Sequence, residues 1–192
     1  MINKFKGHLK TVLIHKYYVL KNCVMAGIPI RGIVHDLSKF SPIEFFEGVK
    51  YYQGDRSPID ACKEINGYSK AWMHHKGRNK HHYQYWQDNF DYGGVPIQMP
   101  FEDALELVCD YLGAGMAYQK ENFTYSKEYE WWKNKCSKGI KMHPQTKRFV
   151  EMMLYRMKQD KSNKILRKNS AKKIYNLAEK FTESDAKLKQ EK

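Results

Sequence analysis

Apolar residues in the first 25 positions recur every three or four residues, at Phe5, Leu9, Leu13, Tyr17, Leu20 and Val24. That period belongs to the α-helix. No later stretch replaces it with the sustained alternation a half-buried strand needs, so the chain is confined to helical architectures. Four prolines, Pro42, Pro58, Pro100 and Pro144, stand where helices would begin, because proline at the first helical position gives up no hydrogen bond and presets φ. Ser41 and Glu44, around the first of them, have the spacing of a capping box. The pattern predicts a helix over Phe5–Met25, ended by Gly27 and Pro29, and a short one over Ile30–Ser38 that carries His35-Asp36 near its end. Further helices are expected near 42–53, 58–76, 100–121, 126–138, 144–159 and 163–189. Residues 77–99, with Gly77, Asn79, Gly93, Gly94 and Pro96, read as a loop. With 192 residues and a 42% hydrophobic share, the chain is expected to be an all-α, single-domain helical bundle around one core. A helical metal-binding domain is expected over 1–159 and a basic C-terminal helix or tail over 160–192.

The formal net charge is +13. Residues 158–192 hold eleven Lys or Arg against five Asp or Glu, which places +6 of it in the tail. A basic chain favours anionic partners. The expected partner is an anionic small molecule such as a nucleotide or phosphoester, with nucleic acid a second candidate through the tail, a segment that reads first as a solvated helix. No stretch reaches the roughly 20 apolar residues of a membrane span, and MINKFKGHLK lacks the apolar centre of a signal peptide. A cytoplasmic protein with no membrane partner is expected. The four cysteines, Cys23, Cys62, Cys109 and Cys136, form no C-x-x-C pair and read as small core residues.

The chemistry lies in the histidines. His15, the dipeptide His35-Asp36, the pairs His74-His75 and His81-His82, and Asp110 make up an imidazole and carboxylate set of the kind borderline divalent metals prefer. His15 shares a helix face with Val12, Tyr18 and Val19 and so points inward. Adjacent helical side chains diverge by about 100°, so His35 and Asp36 meet one ion only at a helix end or between helices. Asp110 shares a face with Asp103, Gly113, Ala114 and Ala117, and burying it calls for a cation. In AWMHHKGRNKHHYQYW, Gly77 and Asn79 break the helix, which lets the chain fold back and bring His74 or His75 near His81 and His82. Such a set suits one or two ions of iron, manganese or zinc better than calcium. Lys39 and Arg78 lie within a few residues of these ligands and are candidate contacts for a substrate anion, Arg78 in bidentate fashion. Among Trp72, Tyr83, Tyr85 and Trp86, at least two are expected in the core, with base stacking the alternative for the rest.

The order His15, His35-Asp36, His74/His75, His81-His82, Asp110 on a helical chain resembles the HD-domain metal-dependent phosphohydrolases, and His35-Asp36-Leu37-Ser38-Lys39 resembles their H-D-x-G-K stretch. More closely, HDLSKFSPIEF, YYQG, HHKGRNKHHYQYW and His143-Pro144-Gln145-Thr146 resemble an uncharacterised family of bacterial and phage proteins built on this plan, over most of residues 10–155. The resemblance implies that His15, His35, Asp36 and Asp110 bind one metal. It implies that Asp36 bridges to a second ion held by His74 or His75 with His81 and His82, and that Lys39 contacts a substrate phosphate. The chain departs from the superfamily pattern at Ser38, where glycine is usual, in its closely spaced histidine pairs, and at Thr11, where a ligand Glu can stand.

The expected function is therefore hydrolysis of a nucleotide or other phosphoester at a mono- or dinuclear His/Asp centre, with Asp36 and Lys39 as the catalytic residues. Two other classes fit the same residues: a nucleic-acid- or partner-binding helical protein with a structural metal, and a diiron oxygenase. Lys39 beside His35-Asp36 favours the hydrolase, since neither alternative has a general need for a phosphate contact there.

Overall fold

In the computed structural model residues 2–190 are described, with side chains through residue 184; the last part of the Lys-rich tail lies outside the described residues. Among them are nine α-helices: α1 (Ile2–Met25), α2 (Pro29–Val34), α3 (Pro42–Tyr51), α4 (Pro58–Asn66), α5 (Lys70–Lys76), α6 (Phe101–Gln119), α7 (Tyr125–Ser137), α8 (Pro144–Asp160) and α9 (Lys168–Gln190). The expected loop over 77–99 carries one antiparallel pair of two-residue strands, β1 (Gln87–Asp88) and β2 (Val95–Pro96). The fold is an all-α bundle. No helix among the described residues is long and apolar enough to cross a membrane.

The long α6 is the axis, because its residues from Asp103 to Gly113 are all buried. On one side α1 packs along it, with α2 laid on α1; on the other α8 joins α7 and α9, and α3 gathers α4 and α5. The core runs from Val19 and Cys23 through Leu105, Leu112 and Trp132 to Phe149, Met153 and Leu154. Within the basic C-terminal segment expected from 160 onward, Leu166, Ala171, Tyr175 and Ala178 are buried in this same core. The Tyr175 hydroxyl donates to the Met99 carbonyl at 2.6 Å, so the first half of α9 is structural. His143-Pro144-Gln145-Thr146 also acts in the fold: His143 caps α8, and the buried Thr146 hydroxyl accepts from the Met99 amide at 3.1 Å.

Several local expectations need correction. The apolar stripe that marks α1 is not the face it buries: Leu13, Tyr17 and Val24 are more than half exposed, while His8, Val12, His15, Val19, Asn22 and Cys23 turn inward. Polar groups lie on the inner face because that face lines a site. The single helix expected over 58–76 is two helices, since Gly67 terminates α4 in the left-handed region at φ 78° and the Ser69 side chain caps α5. The second helix stops at Val34 and does not reach Ser38; His35 is extended and Asp36 left-handed at φ 53°. No capping box forms at Ser41, whose side chain makes no cap bond. Glu44 turns instead to two histidines.

Gly113 sets the approach of α1 to α6, because a Cβ there would collide with the Val19 side chain and come within 3.1 Å of its backbone nitrogen. Backbone cannot yield as a flexible side chain can. Gly113→Ala is expected to lower stability by about 1–3 kcal/mol, measured by urea unfolding, and a variant as stable as wild type would show that the helices separate without cost.

Candidate metal centre

The break between α2 and α3 supplies the condition that helical geometry denies to His35 and Asp36. With His35 extended and Asp36 left-handed, a conformation that aspartate tolerates better than most residues, both side chains turn into one pocket under α1 and α6. Among the described residues three groups of ligand atoms could hold a metal ion there; two of them share Asp36, and the third is His35, His81 and Glu106.

The first group is His15, His35, Asp36 and Asp110. His15 Nε2 lies 3.4 Å from Asp36 Oδ2 and 3.2 Å from Asp110 Oδ1, and His35 Nε2 lies 3.2 Å and 3.4 Å from the same two oxygens. The second is Asp36, His75, His81 and His82. Here Asp36 Oδ1 faces His75 Nε2 at 3.2 Å and His81 Nε2 at 3.3 Å, while His75 and His82 oppose their Nε2 atoms at 2.8 Å. One carboxylate thus presents a different oxygen to each group.

The outer ring nitrogens are held by carboxylates. Glu106 Oε1 accepts from His35 Nδ1 at 2.9 Å and lies 3.2 Å from His81 Nδ1; its Oε2 takes a bond from Arg31 Nη1 at 3.0 Å. Glu44 Oε2 pairs with His75 Nδ1 at 2.7 Å, and Ser38 links that nitrogen to Asn79 through bonds of 3.1 Å and 2.9 Å. A proton on Nδ1 leaves the Nε2 lone pair pointing inward, the arrangement of metal-bound histidines.

The fit to a cation shows in what is left unpaired. His15 Nε2, His35 Nε2, His81 Nε2 and Asp36 Oδ1 are buried without a hydrogen-bond partner. Leaving one such group unsatisfied costs about 1–3 kcal/mol, more if charged. The three nitrogens face the carboxylates of the two groups at 3.2–3.4 Å, and a cation in each group would satisfy all four atoms. The field agrees with this. Burial opposes a charge on His75, yet Asp36 and Glu44 lift it to about 9. Burial likewise opposes charge on Glu106, but the imidazoles of His35 and His81 hold it down at about 2.

The other expected residues divide. His75 joins the second group, whereas His74 does not; its Nδ1 bonds to Glu44 Oε1 at 2.6 Å. Lys39 lines the adjoining cavity and sets its ammonium 2.6 Å from Asp36 Oδ2. Arg78 is exposed, donates to the His74 carbonyl and lies outside the cavity lining. Tyr83 and Trp86 pack on the core, Tyr85 is exposed, and Trp72 stacks on His75 with centroids 5.9 Å apart. Sequence reasoning missed Glu106 and Glu44. Glu106 stands one turn before Asp110 on the same helix face, a spacing that was available as a signal.

The cavity beside the two groups holds about 190 Å³ and is walled by Val12, Pro58, Ile59, Ala71 and Ala114 among others. The span that carries every one of these ligands, residues 4–156, matches the profile of a family of unknown function, DUF5662. The chain belongs to that family. No curated protein and no solved structure matches it. The DUF5662 span takes in α1 through most of α8 and leaves out α9, so the pocket of candidate ligands lies wholly within the family's part of the chain.

Next to the pocket Glu128 is buried against Gly115. Burial, reinforced by Asp110, pushes its carboxyl up to about 8 from an ordinary 4.5. The folded form therefore binds a proton that the unfolded chain releases above pH 4.5, so Glu128 makes stability fall as pH rises from about 4.5 to 8. At up to ~1.4 kcal/mol per pH unit, Glu128→Gln is expected to gain ~3 kcal/mol over wild type near pH 7 and nothing near pH 4. Urea unfolding of both proteins at pH 4, 6 and 8 measures this; parallel profiles would mean the native carboxylate is ionised.

Proposed function

We propose that this chain is a metal-dependent phosphohydrolase on an HD-domain-like plan, acting on a phosphoester through one or two ions of iron, manganese or zinc. The observation that carries the reading is Asp36, with its two oxygens turned to two different histidine groups and Lys39 at its side. His15, His35, Asp36 and Asp110 would hold one ion, and Asp36, His75, His81 and His82 the other. Bound divalent ions supply Lewis-acid polarisation of a phosphoryl oxygen and a water acidic enough to act near neutral pH.

The chain's own residues supply the rest. Glu106 and Glu44 fix the ring orientation of His35, His81 and His75, so the ligands need no reorganisation when substrate arrives. Lys39, partly exposed at the cavity, offers the ammonium to a phosphoryl oxygen, and its charge is secured because Asp36 and Asp110 outweigh the cost of burial and raise its pKa. The apolar walls limit water around the phosphorus. In the reaction the water oxygen bonds to phosphorus, the bond to the leaving oxygen breaks, and the water's proton ends on the departing alcohol.

The test is phosphate release from a panel of phosphomonoesters, bis-esters and nucleotides by protein loaded with each metal. Lys39→Ala is expected to lower kcat/KM by roughly 10- to 100-fold, the value of one charge-assisted contact, with metal content unchanged. Metal-loaded protein that releases no phosphate but consumes oxygen would overturn the reading in favour of an oxygenase.

A further inference from the structure

A second cavity of about 360 Å³ adjoins the metal pocket, and none of the residues discussed so far as ligands or anion contacts lines it. Ser57, Ala114 and Tyr118 line both cavities, so the two meet at these residues. Ala114 lies between Gly113, which admits α1, and Gly115, where a Cβ would strike the Glu128 carboxyl. A volume of this size is at the lower end of the roughly 300–1,000 Å³ found for small-molecule sites.

Its polar groups lack partners. The Tyr111 hydroxyl and Gln119 Oε1 are buried and take part in no hydrogen bond, although Tyr111 is only 7% exposed and so cannot turn to bulk water. Glu128, also on the wall, is buried. The hydroxyl can donate or accept, the amide oxygen accepts, and the carboxyl does both when protonated. Trp131, edge-on to Tyr111 with centroids 5.0 Å apart, adds an aromatic surface. The charges discriminate. Asp55 and Asp60 stand on the exposed side, and Arg56, the cation on this wall, is already engaged by Glu64 at 2.7 Å. Among the lining residues an anion would find acid and no unengaged base; the nearby Lys135 is not part of the lining and packs over the Tyr111 and Trp131 rings.

We infer that this second cavity receives the leaving group of the substrate: an uncharged or cationic polar alcohol, of the size of a nucleoside, that offers both hydrogen-bond donors and acceptors to Tyr111, Gln119 and Glu128. The inference rests on the hydrolase reading for the phosphoryl end and adds the substrate class. It makes phosphomonoesters of neutral alcohols the substrates and rejects leaving groups that carry further phosphates, because these would face Asp55 and Asp60.

Binding without turnover tests it separately from catalysis. Metal-loaded wild type, Tyr111→Phe and Gln119→Leu are titrated with adenosine, uridine, glucose and glycerol by ligand-observed NMR, and phosphate release is followed from the corresponding monophosphates, from nucleoside triphosphates and from methyl phosphate. At least one nucleoside or sugar is expected to bind wild type and to weaken about tenfold in each variant, with KM for its monophosphate rising in parallel. Turnover of methyl phosphate and metal content should be unchanged, and thermal stability should not fall, since each variant removes a buried group without a partner. Bound alcohol with the variant effect but no phosphate release from any ester would sustain the cavity and sink the hydrolase reading. Phosphate release with no alcohol binding, with triphosphates preferred, or with both variants behaving as wild type would overturn the cavity assignment and leave hydrolysis standing.

Discussion

Asp36→Asn is expected to lose both metal ions together and to lower phosphate release by at least about 10³-fold. Asparagine keeps the shape of the side chain and is at ease in the left-handed conformation at φ 53° that this position holds, so the backbone between α2 and α3 is undisturbed. What disappears is the charge and one of the two oxygens. Asp36 Oδ2 stands between His15 and His35, and Oδ1 between His75 and His81. An amide can offer a weak ligand to one group and a repelling N–H to the other. Loss of any other single ligand should leave one group with its remaining members, and His82→Ala is the matching control. Elemental analysis of both purified variants reads the difference: wild-type metal content in Asp36→Asn would remove the bridging role.

Glu106 should matter nearly as much, for a reason that joins the site to the fold. Its carboxylate is 5% exposed and meets His35, His81 and Arg31 together, while Arg31 reaches on to Asp103 at 2.8 Å. Glu106→Ala leaves the buried imidazoles of His35 and His81 without their acceptor and takes from the partly exposed Arg31 one of its three carboxylates. Removal of one partner from a buried ion pair costs about 3–5 kcal/mol, and loss of a carboxylate behind a ligand histidine typically costs 10- to 100-fold in metal affinity. Both effects are expected in Glu106→Ala. Glu106→Gln, which keeps one acceptor oxygen, should recover most of the stability and less of the affinity. Urea unfolding of the apo form and metal titration separate the two. An Ala variant that unfolds like wild type would show that Arg31 and the histidines find other partners.

The helical class was legible because proline starts and three-to-four-residue periodicity are local properties, and local properties dominate helix formation. Which face of α1 is buried was not. Leu13, Tyr17 and Val24 advertise an apolar stripe, but the face through His8 and His15 is the one that is buried, His15 against Asp36 and Asp110 and His8 against Phe45 and Tyr52. The ligand histidines could be read as a set because His81 and His82 follow a helix break a few residues after His75. Their division between two groups came only from the resemblance to the HD-domain pattern and not from spacing, as it depends on Asp36 entering the left-handed region, which no periodicity reports. Glu44 shows a misreading of another kind. Its spacing from Ser41 matches a capping box, but the Ser41 amide already donates to the Ser38 carbonyl at 2.8 Å, and Glu44 turns to His74 and His75 instead. The second cavity was invisible in sequence, because Tyr111, Gln119 and Glu128 come together only when α7 packs against α6.

The most direct test of the central claim is the metal content of the whole chain, purified without a histidine tag, reconstituted with iron, manganese or zinc and freed of unbound ion. About two equivalents per chain in wild type, with both lost in Asp36→Asn, is the result the bridged pair of sites predicts. A well-folded wild type that retains no metal after reconstitution would contradict it and leave the buried histidines and carboxylates as a proton-linked network within the core.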